Sequence, residues 1–224
     1  MHFLSHYYTS SRSDDSLYNV AMIIPDLTPS FTYIFNKKIL HLPQPEHKLN
    51  SSIHRGILAH YIADRAFHSS EIFIETCRFG TKEFVEVGLD RNIYRLSVVS
   101  HLIVEMLIDA QIIRNQGASY PQKLYADIDV VQEHNLMDYF KMIQATEAGH
   151  SFFVKLQQFK SKKHLVLLTD TANIVEALSK IFARSISKRI DEEHKPMFLE
   201  AINNIDVKVR SCWEELLNLN LPNE

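Results

Sequence analysis

Apolar residues recur at helical spacing along almost the whole chain, and strand-like alternation is missing. Leu58, Tyr61, Ile62 and Phe67 form one such stripe, and Leu96, Val99, Leu102, Ile103, Met106 and Ile113 form a second. Leu136, Phe140, Ile143, Phe152, Leu156 and Phe159 continue the repeat, followed by Ile174, Val175, Leu178, Ile181, Phe182 and Ile190. Asp170 or Thr171 is placed to cap the penultimate helix. The last helix is predicted to start near Lys195-Pro196 and to run to about Leu217, before Pro222. Asn50-Ser51-Ser52 would cap the long helix that follows the Pro43–Pro45 loop. Gly117 to Pro121 would end the helix over the second stripe, and the stretch from Tyr120 to about Glu133 reads as a crossing connection. With 5 glycines in 224 residues, β-hairpins and glycine-rich phosphate loops are disfavoured. The fold class is therefore all-α, as one domain spanning residues 1–224.

Polar groups interrupt the stripes in an ordered way. His60, Asp64 and His68 follow each other at four-residue steps, as do His101, Glu105 and Asp109. Residues four apart stack on one helix face. Ionisable groups within apolar helices are costly to bury unless they are paired or bind a metal. Two such ladders point to a shared zinc-type or hard-cation centre between two central helices, and so to a metal-dependent hydrolase. Asp109, a turn beyond Glu105, suits a supporting or solvated place. Taken alone, His6 reads as a hydrogen-bonded core histidine, and Asp26 as a residue at a helix end or tight turn between Pro25 and Pro29. His54 faces away from His60 and reads as surface or as a supporting group.

Composition narrows the setting. Hydrophobic residues make up 46% and charged residues 23%, a globular balance, with no uninterrupted apolar run of spanning length. Cys77 and Cys212 make neither a disulfide framework nor a zinc motif. Without a signal-like start, a cytoplasmic location is expected. A formal charge of −3 gives no support to nucleic-acid binding by bulk electrostatics. The 12 histidines are the unusual feature, six of them between His41 and His101.

The opening Met1-His2-Phe3-Leu4-Ser5-His6 resembles the start of the acyl-carrier-protein phosphodiesterase family. Ala21-Met22-Ile23-Ile24-Pro25-Asp26 is similar to a second segment of that family. His60-Tyr61-Ile62-Ala63-Asp64 falls on its His-x3-Asp motif, and His101-x3-Glu105 falls where it carries two carboxylates four apart. The resemblance covers roughly the first half of the chain. It implies an HD-like helical domain in which His6, Asp26, His60, Asp64, His101 and Glu105 hold one or two divalent ions, with His68 able to serve a second. The histidine-rich set favours manganese, iron or zinc over magnesium. Asp64 would bridge, and Glu105 would be a ligand or base. Arg65 and Arg55 would either hold a phosphate or be solvated helix charges. The implied reaction is hydrolytic release of 4′-phosphopantetheine from holo-acyl carrier protein. Lys160, Lys162 and Lys163, with Lys188 and Arg189, are the basic runs that could meet an acidic carrier. The paired His-x3-Asp and His-x3-Glu also resemble the zinc phospholipase C and nuclease family, which implies nucleotides or phospholipid headgroups as substrates. A catalytically silent helical binding module is the remaining alternative.

Overall fold

A computed structural model of the chain describes residues 2–10, 13–27, 48–185 and 189–218. Among them the structure is 85% helical with no strand, an all-α fold. The helices are α1 (Phe3–Ser10), α2 (Ser16–Ala21), α3 (Ile24–Leu27), α4 (Lys48–Ser69), α5 (Glu71–Glu86), α6 (Arg91–Tyr94) and α7 (Leu96–Gln116). They continue with α8 (Tyr120–Val130), α9 (Glu133–Met142), α10 (Thr146–Lys162), α11 (Thr171–Ser185) and α12 (Lys195–Leu217), with a 3-10 helix over His164–Thr169. The chain divides into two compact units. The first draws its described residues from Met1–Ala66 and Gln116–His164, and the second from Phe67–Asn115 and Leu165–Asn220.

In the first unit, one half-buried carboxylate network ties α1 and α2 to α8. Tyr7 Oη donates to Asp127 Oδ2 (2.9 Å), Ser16 Oγ donates to Asp127 Oδ1 (2.5 Å), and Asn19 Nδ2 donates to Asp127 Oδ2 (3.2 Å). Bonds to a charged acceptor are the stronger kind, so the network fixes the residues on either side of it, His6 among them. Asp15 caps α2 by accepting from the amides of Leu17 and Tyr18, and it also accepts from Ser52 Oγ on α4. A close approach sets α4 against α2. A Cβ on Gly56 would stand 2.4 Å from the Tyr18 carbonyl oxygen and 2.6 Å from the Ala21 Cβ. The buried stripe of α4 follows from that contact: Ile53, Ile57, His60 and Ala63 are 0–3% exposed. The stripe read from sequence is partly out of phase with it: Phe67 is fully buried, but Ile62 is 48% exposed.

In the second unit, α5 lies along α12, with Phe84 against Phe198 at 5.5 Å. Ser70 caps α5, its Oγ accepting from Phe73 N and donating to Phe67 O. Ser100 on α7 donates to the Cys77 carbonyl at 2.7 Å, where glycine at position 80 leaves room for it. A buried ion pair anchors the far end of α7: Arg114 donates to Asp206 Oδ1 (2.6 Å) and to Thr169 O (2.9 Å). Helix α7 is long and apolar enough to cross a bilayer by length and composition, and 72% of its most apolar window is buried within the protein.

Several boundaries differ from the sequence reading. The long helix starts by Lys48, ahead of Asn50-Ser51-Ser52, and the 120–133 connection contains α8. That helix is marked by buried Leu124, Tyr125 and Ile128, four-residue spacing in an otherwise polar run. A break at Gln144 (φ 56°) separates α9 from α10. Asp170 does cap α11, through the Ala172 amide at 2.9 Å. The Thr28-Pro29 turn and the Pro43–Pro45 loop lie outside the described residues.

Candidate metal centre

The ligand candidates gather in two groups, one in each unit. The first comprises His6, Asp26 and His60, whose nearest ligand atoms all lie within 4.8 Å of one another. Short α1 supplies His6 from a run in which Leu4, Ser5, His6 and Tyr7 are all buried. Asp26 comes from α3, the single turn that Pro25 opens. His60 comes from the inner stripe of α4. The two imidazoles stack at 3.9 Å with 28° between planes. His6 Nε2 lies 3.6 Å from Asp26 Oδ2 and 3.8 Å from Asp64 Oδ1, and His60 Nε2 lies 3.9 Å from Asp26 Oδ1. The imidazoles are almost wholly buried, while the Asp26 and Asp64 side chains are 24% and 30% exposed. The group therefore has buried nitrogens and two carboxylates that reach solvent in part, with Asp26 Oδ2 itself buried.

One contact sets the tautomer of His60. Its Nδ1 lies 2.8 Å from the Met22 carbonyl oxygen, which can only accept. Nδ1 therefore carries the proton, and in the neutral ring Nε2 presents its lone pair toward Asp26, the arrangement typical of a metal-ligating histidine. Tyr61 is a neighbour that the sequence reading placed in the apolar stripe. Burial, and then the charges of Asp26 and Asp64, push its phenol well above its ordinary range. It is thus a neutral O–H donor in the field of both carboxylates. Periodicity alone gave no sign of this, because tyrosine counts equally as an apolar or a polar residue.

The second group comprises His68, His101 and Glu105. His68 ends α4, and His101 and Glu105 are one turn apart on α7. His68 Nε2 and His101 Nε2 both donate to Glu105 Oε1, at 3.0 and 3.1 Å. Phe73 packs edge-on against both rings, at 5.1 and 5.0 Å. Burial pushes the Glu105 carboxyl up, but the hydrogen bonds from His101 and His68 outweigh it and hold the group well below the usual carboxylate range. Cys77 responds in the opposite sense. Its thiol is raised to about 12 by burial and then by the charge of Glu105, so it is not a thiolate near neutral pH.

The ladders are thus divided differently from their sequence order. His60 joins His6 and Asp26, Asp64 adjoins His6, and His68 turns to Glu105. Helix geometry explains the split, since eight residues advance the direction by about 80° beyond two full turns. Asp109 is fully buried and belongs to neither group, which excludes a solvated place for it. His54 is 2% exposed and shares a 3.1 Å hydrogen bond with the Tyr139 hydroxyl, so the surface reading of that residue is corrected. Arg55 lies 3.8 Å from Asp15 and over the Tyr18 ring, and Arg65 is exposed on α4. Lys160 pairs with Asp129, and Lys188 lies outside the described residues. His150 bonds Glu133 and His194 bonds Tyr94, both as local structural pairs.

Comparison with protein-family models, with curated proteins and with solved structures returns no match to this chain.

Proposed function

We propose that this chain is a metal-dependent phosphodiester hydrolase of the HD-like helical kind, with its centre at His6, Asp26, His60 and Asp64. The observation that carries the reading is the buried imidazole pair facing two partly exposed carboxylates at 3.6–3.9 Å. Those separations are too long for hydrogen bonds. They approach the roughly 3.0–3.4 Å between neighbouring donor atoms that each sit about 2.1 Å from one ion, the lower figure for a six-coordinate ion and the upper for a tetrahedral one. Two nitrogens and two carboxylates suit manganese, iron or zinc, so the residues fit such an ion.

His6 and His60 would hold the ion from the buried side, with His60 aligned by the Met22 carbonyl. Asp26 and Asp64 would hold it from the open side, where a fifth coordination position would admit water or substrate. A bound divalent cation would polarise a phosphoryl oxygen and bring the pKa of a coordinated water toward neutrality. Asp64, the more exposed carboxylate, would accept the proton of the attacking water. Burial of the two imidazoles excludes bulk water from one side and strengthens the local field.

The substrate class rests on the resemblance to the acyl-carrier-protein phosphodiesterases, which makes holo-acyl carrier protein the first substrate to test. Arg55 is engaged by Asp15, and Lys160 by Asp129. Neither favours a dedicated phosphate clamp or carrier-docking face over a more general phosphodiester substrate. The experiment is a side-by-side assay of holo-acyl carrier protein, bis-p-nitrophenyl phosphate and nucleotides, using stripped protein and protein reloaded with manganese, iron or zinc. Turnover is expected only after reloading. His60→Gln and Asp64→Asn should each lower it on the order of 100-fold or more. Turnover that survives in both variants, or hydrolysis of none of the substrates under any metal, would reject the proposal.

A further inference from the structure

A second cluster of ligating side chains plays no part in the proposed reaction. His68, His101 and Glu105 all belong to the second unit, and their nearest ligand atoms converge within 4.8 Å. The convergence is built in. Both imidazoles direct Nε2, and not Nδ1, at the same carboxylate oxygen, from two different helices. The rings lie 4.7 Å apart and tilted by 31°, with Phe73 wedged edge-on against each and Phe67 against His68. Apolar contacts of this kind fix ring direction without competing for the nitrogens. The Glu105 side chain is 9% exposed, whereas those of His68 and His101 are 30% and 40% exposed. The carboxylate therefore lies at the base, and solvent reaches the group from the imidazole side.

We infer that His68, His101 and Glu105 form a second transition-metal site, with three protein ligands and a coordination position open to water or a small anion. Two imidazoles and one carboxylate select zinc, cobalt, iron or manganese, and disfavour calcium or magnesium, which take mostly oxygen ligands. Three protein ligands with access from solvent are the pattern of an exchangeable site, in contrast to a closed structural one. Binding requires each neutral ring to carry its proton on Nδ1, so that Nε2 turns its lone pair to the ion. The site does not depend on the hydrolase reading, since none of its ligands belongs to the first group.

The test uses stripped, full-length protein titrated with Co²⁺, followed by visible absorption and by counting bound ions at equilibrium. The variants are His68→Gln, His101→Gln, Glu105→Gln and His60→Gln. Both second-group histidines are partly exposed, so their amide substitutes should fold, and metal-free melting curves identify any that do not. His68→Gln and His101→Gln provide independent readings if one fails. The expected result is one ion fewer, or at least tenfold weaker Co²⁺ binding at one site, in each of the three second-group variants. The ion lost in His60→Gln should be a different one, with a different absorption band. A parent that binds one ion, lost in His101→Gln but kept in His60→Gln, would support this site while rejecting the hydrolase centre. Unchanged Co²⁺ binding in His68→Gln and His101→Gln would overturn the inference. So would a single ion lost equally in His60→Gln and His101→Gln.

Discussion

His54 shows how a histidine can be costly without being a ligand. It is buried against Tyr139, and desolvation lowers its pKa below the ordinary 6.5. A histidine whose folded pKa is depressed stabilises the fold in full above its unfolded value. That contribution falls as the pH drops below about 6.5 and is gone once the pH passes the folded value. The metal-free protein should therefore lose melting temperature between pH 7 and pH 5, and His54→Gln should flatten that slope while lowering stability at pH 7. Thermal unfolding of parent and variant across the range checks it; parallel slopes would show that His54 does not carry the acid limb. Glu105 shares the depressed direction by another route, since two donated hydrogen bonds outweigh its burial. Its stabilisation is present above the usual carboxylate range and is lost only under stronger acid. In metal-free protein the stability gap between parent and Glu105→Gln should thus persist at pH 5 and close only as the pH falls through the depressed folded value, well below the usual carboxylate range.

At the scale of elements, the approach of α4 to α2 determines which face of α4 is buried, and so aims His60 inward. Gly56→Ala would place a methyl group 2.4 Å from a backbone carbonyl and 2.6 Å from the Ala21 Cβ, neither of which is the end of a flexible side chain. A loss of about 1–3 kcal/mol is expected, the usual cost of overpacking, measured by urea unfolding. A variant as stable as the parent would mean that α2 and α4 can separate freely. This contact also explains what the sequence could and could not reveal. The helices were legible because apolar spacing and caps agree, as at Asp170 and over Lys195–Leu217. The phase of α4 was not. Leu58, Tyr61 and Ile62 are as apolar as Ile53, Ile57 and Ala63, and the glycine contact decides between the faces. The association of His6 and Asp26 with His60 was given by the family resemblance alone and was hidden from residue spacing. His6, Asp26 and His60 lie on three helices, and their meeting depends on the Asp127 network and on α3. The i,i+4 relation of His101 and Glu105, being local, was visible. The third member of that group, His68, was visible only as the end of a ladder it does not share.

At the scale of the whole molecule, each compact unit carries its own set of two imidazoles and at least one carboxylate. An all-α fold with donor atoms brought together from separated segments has a simple thermodynamic consequence: ions that bind only the folded state should raise its stability by mass action. Reloading stripped protein with zinc or manganese should raise the melting temperature, and His60→Gln and His101→Gln should each remove part of the gain. An equal gain in parent and variants would place the bound ions elsewhere. The most direct single test of the first centre is elemental analysis of the purified, untagged chain beside His60→Gln and Asp64→Asn. Bound manganese, iron or zinc in the parent, reduced by one ion in both variants, is the expected result. A parent without metal after reconstitution with each ion, or variants with the same metal content as the parent, would contradict the account.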